Sequence, residues 1–269
     1  MRKCKVLRFL LFNSLVLLTV PARLWAAFEA PEADPVPFAL ANVVSFRDYL
    51  TCSDSPAGNW FLTVGGARLF GMPEIQPFGF SAGGQVMGGQ MRLKGGGLKS
   101  GTYRETSSAL AYERKFQGSV TAGLEFQLLQ VSIKDYGTAW SQQLNAHLEW
   151  SLQSNFRLAF TWINLTNSHF GQDDYPLPQR LALGGMLSAF RNVELFLELE
   201  QDTRHSLSPR FGLGFSPLER ITLLAGFQGE PNIVSAGVSG LIGSVRATAA
   251  YQYHPDLGFS QCYGMAVVF

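Results

Sequence analysis

The chain has 269 residues, a net charge of +1, 28 Gly, 21 Phe and only 15% charged residues. Its Lys and Arg are scattered among Asp and Glu, without the clustered basic face of a nucleic-acid binder, which excludes nucleic acid as an expected partner. Abundant Gly and Phe without long helical periodicity point to many short strands joined by tight turns.

Arg2, Lys3, Lys5 and Arg8 precede an apolar run over residues 9–20 and then the small residues Ala22, Ala26 and Ala27. This is the pattern of a signal peptide over residues 1–26. Its apolar core is too short to span a bilayer as a helix, and no later segment offers ~20 uninterrupted apolar residues. Cys4 lies in the charged start and does not read as a lipid-attachment cysteine. Residues 27–58 contain Pro31, Pro35 and Pro37 and show no clean alternation, so they are expected to precede a barrel, either plugging its interior or lining its periplasmic rim. The barrel itself is assigned to residues 59–269.

The first strand candidates, 60–70, 78–93 and 103–114, are interrupted by Gly-rich runs such as Lys94-Gly95-Gly96-Gly97. From residue 118 the alternation is clean. Val120, Ala122, Leu124, Phe126 and Leu128 share one face; Thr121, Gly123, Glu125 and Gln127 share the other. Trp140, Leu144, Ala146, Leu148 and Trp150 oppose Gln143, Asn145, His147, Glu149 and Ser151, and Val193, Leu195, Leu197 and Leu199 oppose Glu194, Phe196, Glu198 and Glu200. Successive side chains point to opposite sides of a pleat, so these are strands with one apolar and one polar face. Further segments at 156–165, 180–189, 209–216, 221–228, 233–241, 245–254 and 259–269 are separated by turn residues such as Arg191-Asn192, Ser216-Pro217-Leu218 and Gly229-Glu230-Pro231-Asn232. Residues 166–178 form the only long loop this reading finds, and its length places it on the cell exterior.

The last strand is the most telling. Tyr263, Met265, Val267 and Phe269 leave one face, with small residues between them, as in a strand that lies against lipid and closes a barrel. About 13 strands are countable, and bacterial single-chain barrels use even numbers. The expectation is an all-β, transmembrane up-and-down antiparallel β-barrel of 14 strands, with 12 as the alternative. Fourteen strands leave about 15 residues each, matching ~10 residues of tilted strand plus a turn.

Several fragments together carry a family resemblance. Ala39-Leu40-Ala41-Asn42 is followed by Ser55-Pro56-Ala57-Gly58, then Thr102-Tyr103-Arg104-Glu105, Leu110-Ala111-Tyr112-Glu113-Arg114 and Ile163-Asn164-Leu165. Leu177-Pro178, Arg180-Leu181-Ala182-Leu183-Gly184 and Tyr253-His254-Pro255-Asp256-Leu257-Gly258 complete the series. In their order and spacing they resemble the FadL/PorV-like outer-membrane barrels, a group of hydrophobic-compound transporters and a secretion-system component. Ser55 stands where that group has Asn, and the chain is shorter than either kind of member. The resemblance implies that residues 27–58, with Ser55, Pro56, Ala57 and Gly58 as the matching element, pack within the barrel.

Parity turns Glu125, Gln127, Asn145, His147, Glu149, Glu194, Glu198, Glu200, Arg210 and Arg246 toward the lumen. Such charges either pair across the interior and close it, which is the expected outcome, or line a path for water and polar solutes. Catalysis is not expected. His147, His169, His205 and His254 are dispersed, and neither Gly-x-Ser-x-Gly nor His-x-x-x-His occurs, so no metal site or cofactor is implied. Cys52 and Cys262 either bridge plug to wall or stay as separate thiols; nothing in the sequence brings their Cα atoms within ~7 Å, which favours thiols. Trp140, Trp150, Tyr112, Tyr251 and Tyr263 suit interfacial girdles.

Two functions are consistent with these residues. One is passage of amphipathic or hydrophobic small molecules across the bacterial outer membrane; the other is a non-conducting component of a secretion assembly. The expected partners are the lipid bilayer, the outer-membrane assembly machinery acting on the C-terminal strand, and either an amphipathic ligand or secretion proteins.

Overall fold

The computed structural model describes residues 33–46, 60–116, 119–170 and 175–269. The expectations for residues 1–26, for Cys52 and for Ser55, Pro56, Ala57 and Gly58 lie outside the described residues. Among the described residues a short helix, α1 (Pro35–Ala39), precedes sixteen strands. They are β1 (Phe61–Arg68), β2 (Phe78–Val86), β3 (Gly89–Ser100), β4 (Tyr103–Lys115), β5 (Val120–Ile133), β6 (Gly137–Gln153), β7 (Phe156–Ile163), β8 (His169–Phe170) and β9 (Tyr175–Pro176). The second half comprises β10 (Arg180–Phe190), β11 (Val193–Asp202), β12 (Ser208–Leu218), β13 (Ile221–Gln228), β14 (Ile233–Ile242), β15 (Val245–His254) and β16 (Gly258–Val268).

Fourteen of these strands form one closed antiparallel barrel, in which β1 completes the ring by pairing β16 from Phe61↔Val268 to Arg68↔Gln261. Strands β8 and β9 make a separate small hairpin inside the connection from β7 to β10. Closure matters physically, because a strand edge left open in lipid would carry unpaired N–H and C=O groups.

Three sequence expectations need correction. Residues 78–93 are not one strand but a hairpin: β2 turns into β3 at Met87 and Gly88, both at positive φ. That turn supplies the strand missing from the count of 13, and positive φ at both central residues is what a tight two-residue hairpin turn requires. The Gly run after Lys94 does not interrupt the sheet either. Gly95, Gly96 and Gly97 lie inside β3, where an added Cβ would come within 2.6 Å of the Phe80 ring, the Phe78 carbonyl oxygen and the Glu105 carbonyl oxygen. Finally, the loop expected at 166–178, part of the connection 164–179, is not the only long one, since residues 69–77 join β1 to β2 with a loop held by Leu69 and Ile75. A smaller shift concerns Pro217, which sits in β12 beside a bulge rather than in the turn.

The alternation is carried around the ring. Leu124, Phe126, Leu128, Leu197, Leu199, Phe227, Val238, Phe259 and Met265 face outward and are exposed, while Glu198, Glu200, Arg210, Gln228, Ser235, Gln252 and Ser260 face inward and are buried. An apolar belt around a whole barrel is far too large to face water. It is the surface of a membrane-spanning barrel. Tyr263, Met265 and Phe269 of the closing strand belong to this outer face.

The two ends differ. Strand termini Phe61 and Val268 lie at an end whose turns are short, whereas the opposite end holds the connections 69–77, 164–179 and 203–207.

Candidate functional site

Residues 33–46 run inside the barrel along the wall formed by β10 to β16. Asp34 caps α1 by accepting from Val36 N at 3.1 Å, and Pro35 at the first turn suits a position whose N–H has no helical partner. Phe38, Leu40, Val43 and Phe46 are buried against Met186, Phe196, Leu224, Ala250 and Cys262. Phe46 and Phe196 pack at 6.0 Å between ring centroids. Glycines of the wall make room for the segment. A Cβ at Gly226 would lie 2.5 Å from Ala41 N, and one at Gly184 would lie 2.7 Å from the Ser45 Cβ.

A five-residue helix leaves most of the segment's backbone without internal partners, and the wall supplies them. Gln252 Nε2 donates to the Phe38 carbonyl at 2.7 Å. Ser235 Oγ donates to the Ala39 carbonyl at 2.7 Å and accepts from Ala41 N at 2.9 Å. Arg210 Nη1 donates to the Asn42 carbonyl at 2.6 Å, and Asn42 Nδ2 donates to Gln228 at 3.4 Å. Glu198 accepts from Val44 N at 3.0 Å and from Ser45 N at 2.7 Å. Arg210 joins both acids, reaching Glu198 at 3.0 Å and Glu200 at 2.6 Å. Arg180 adds a longer contact to Glu200 at 3.9 Å.

The opposite wall is organised around a second polar group. Lys94 Nζ meets Glu125 at 2.6 Å. Asn145 Nδ2 donates to Glu125 at 2.9 Å and to Gln127 at 3.3 Å, and Gln143 Nε2 donates to Gln127 at 2.7 Å. Lys94 and Glu125 stand two strands apart, and the inward residues of the intervening β4 at this level are Ala109 and Ala111, small enough to let the pair form across them. Asn145 also fastens the loop above. Its Oδ1 accepts from Asn164 N at 2.9 Å, and Asn164 Nδ2 donates to the Leu177 carbonyl at 3.1 Å. Phe170 and Leu177 then pack onto the inward side chain of Leu129, and Ser141 Oγ donates to the His169 carbonyl at 2.7 Å.

Between the inner segment and this wall lies a cavity of about 860 Å³. Its lining is mixed: Val36, Pro37, Val44 and Phe70 are joined by Asp34, Asn42, Glu200, Arg210 and Gln252 toward the inner segment, and Arg92, Lys94, Glu105, Glu125, Gln127 and Asn145 line the far wall. Arg92 lies 5.6 Å from the centroid of the Phe61 ring.

The lumen-facing residues read from parity therefore fall into separate groups. Glu125, Gln127 and Asn145 come together at the cavity, and Glu198, Glu200 and Arg210 come together under the inner segment. His147 is held by Thr161 at 3.0 Å and lines the cavity, while Glu149 pairs with Arg157 at 3.2 Å. Glu194 and Arg246 sit near the short-turn end, each one residue in from its strand's start. Lys94, Gln143, Gln228, Ser235, Gln252 and Asn164 were not singled out as candidates. For Lys94 the signal existed, as a cation at an inward position of a strand, but the glycines after it hid the strand.

No protein-family model matches the chain, and no curated protein matches its sequence. The fold does match solved structures. The toluene transporter TbuX of Ralstonia pickettii aligns with a TM-score of 0.59 at 8% identity, over 90% of this chain and 98% of that one. A FadL homologue of Pseudomonas aeruginosa gives 0.57 at 9% identity, over 89% and 98%. The toluene transporter TodX of Pseudomonas putida gives 0.55 at 11% identity, over 81% and 90%. At these identities the likeness is one of fold, and it agrees with the FadL-like side of the resemblance read from the sequence.

Proposed function

We propose that this chain is a bacterial outer-membrane barrel for the uptake of amphipathic small molecules, with residues 33–46 as the hatch that occludes it. The observation that carries the reading is a cavity of mixed polar and apolar lining beside an inner segment whose wall hydrogen bonds, among the described residues, go to β11–β15. A purely structural barrel has no need of an 860 Å³ space lined by both apolar and polar side chains. A passage for molecules with an apolar body and a polar end needs both, since burying a polar group without a partner costs roughly 1–3 kcal/mol on mutational scales. The fold shared with two toluene transporters supports transport as the class of activity.

The hydrogen bonds from Glu198 and Arg210 support a latch for this hatch. Glu198 and Arg210 hold its C-terminal part at Asn42, Val44 and Ser45, so release there would open the lumen without breaking the barrel. The test is single-channel recording in planar bilayers. The wild-type barrel is expected to conduct little, and Glu198→Gln together with Arg210→Met is expected to raise conductance severalfold in a barrel that still migrates as folded on unheated gels. Unchanged conductance in a variant whose hatch has become protease-sensitive would overturn the reading.

A further inference from the structure

We propose that the outward face of β3 to β6, above the apolar belt, is a docking surface for the phosphorylated, multi-sugar headgroup of a glycolipid in the outer leaflet. It concerns the outside of the barrel and stands apart from the uptake reading. These four strands rise past their neighbours at the end of the long connections, which loop length assigns to the cell exterior. There β7 stops at Ile163 and β2 last pairs β3 at Phe78↔Gly97, while β5 and β6 stay paired up to Ile133↔Gly137. The register sorts their outward residues into rows. Leu93, Leu110, Phe126 and Leu144 form one row of the belt. Two residues further along, Ser108 and Gln142 flank Leu128; Thr106, Gln130 and Trp140 follow; Lys99, Arg104, Ser132 and Thr138 come last. By contrast, β10 to β16 carry no charged residue on their outward face.

The last row asks for an anion. Lys99 and Arg104 stand directly opposite each other on neighbouring strands, both exposed, and like charges so placed destabilise a strand pair. Neither side chain makes an ion pair or a hydrogen bond among the described residues, and Lys134 and Asp135 in the next turn offset each other. A phosphate between the two cations turns the repulsion into charge-assisted hydrogen bonds, for which the Arg104 guanidinium offers a bidentate fork. The rows beneath suit sugars. Thr106 Oγ1 donates to Gln130 Oε1 at 3.1 Å, which leaves the Gln130 amide nitrogen as a donor for hydroxyls, and Trp140, 61% exposed, presents a flat apolar face to a sugar ring. Height separates a glycolipid from a phospholipid. Arg104 lies six residues beyond Leu110, ~20 Å of strand, or ~15 Å along the membrane normal at a strand tilt of about 40°. The headgroup layer of a phospholipid leaflet is only ~5–8 Å deep. Phosphate carried on sugars reaches the cations, and the acyl chains of the same molecule lie against the belt below.

The experiment titrates the full barrel in maltoside micelles with three probes, binding being read by native mass spectrometry: rough-form lipopolysaccharide with a phosphorylated core, the same glycolipid stripped of its core phosphates, and phosphatidylglycerol. EDTA is present throughout, so that no divalent cation bridges lipid to protein. The phosphorylated glycolipid is expected to bind about tenfold more tightly than either of the others. Lys99→Gln or Arg104→Gln should each lower that affinity severalfold, and the double variant by about tenfold, to the level of the stripped probe. Lys99→Glu gives a readout that a merely solvated face would not. It converts a repulsive cross-strand pair into an attractive one, so it should raise the thermal unfolding midpoint in lipid-free micelles while removing the preference for the phosphorylated probe. Both side chains are exposed, so these variants take away no packed group, and migration as a folded barrel on unheated gels checks each of them. Equal affinity for phosphatidylglycerol, equal affinity for the stripped glycolipid, or unchanged affinity in the double variant would each overturn the inference.

Discussion

The two inner walls of this barrel use the same residue types to opposite ends. Under the inner segment, Glu198, Glu200 and Arg210 are buried and spend their hydrogen bonds on each other and on the backbone of Asn42, Val44 and Ser45. Across the lumen, Lys94 and Glu125 form an equally short pair that faces an open cavity. Burial is what separates them. A charge pair closed off from water becomes structural, because each partner is intolerable without the other, whereas a pair open to solvent contributes little to stability and stays free to meet a ligand.

The sharpest test of that difference is to remove a charge from each wall in turn. Arg210→Ala takes from Glu198 its cation, leaves Glu200 only the 3.9 Å contact with Arg180, and should cost about 3–5 kcal/mol in the seating of residues 33–46. Urea titration followed by proteolysis of the inner segment would show the midpoint falling, and an unshifted midpoint would mean that this wall is no more structural than the other. Next in size, Gly226→Val drives a side chain into the backbone at Ala41, where even a Cβ comes to 2.5 Å, and should cost about 3 kcal/mol by overpacking. The expected readout is proteinase cleavage within residues 33–46 while the barrel remains intact on unheated gels.

Gln252→Leu removes the donor from the buried Phe38 carbonyl and should cost about 1–2 kcal/mol, measurable in the same urea titration. Smallest in stability is Lys94→Met, under about 1 kcal/mol, as for other partly solvated pairs. On the proposed uptake function, its effect belongs to conduction. In a hatch-released background the reversal potential under a salt gradient should move toward cation preference, and Glu125→Gln should move it the other way, both shifts shrinking as ionic strength rises. A large stability loss from Lys94→Met would erase the distinction between the walls.

The wall patterns were readable from alternation, the partners were not. On β5, β6 and β11 strict period-two spacing of Leu and Phe against Glu, Gln and Asn fixes which side chains point inward, because a slip of one residue would turn every one of them into lipid. On β2 and β3 the same logic failed. Glycine carries no facial information, and the turn at Met87 and Gly88 joins two strands through residues of which only one is a usual turn former. The fourteenth strand appears only where residues 78–93 divide at that turn, and the Gly95 to Gly97 run extends β3 rather than ending it. The site was less legible still. Parity aims Glu198 inward, yet its partners are backbone N–H groups of Val44 and Ser45, which have no side-chain signature and lie more than 150 residues away. Lys94 meeting Glu125 across β4 depends on the register of three strands and on two alanines between them.

Those long reaches bear on the order in which the molecule is made. The hydrogen bonds that seat the inner segment close loops of 153 to 214 residues, from Ser45 with Glu198 to Phe38 with Gln252. Contacts so distant along a chain form late, after the entropy of closing the intervening loops has been overcome. A chain threaded into the membrane only as far as β10 holds none of the wall side chains that hydrogen-bond residues 38–45, so a segment synthesised before the whole barrel finds its place only after most of it. Lesions in β11 to β15 that spare the lipid-facing residues should accordingly give a full-length, inserted protein arrested one step short of maturity, recognisable in cells as a leak through the envelope rather than as a missing barrel.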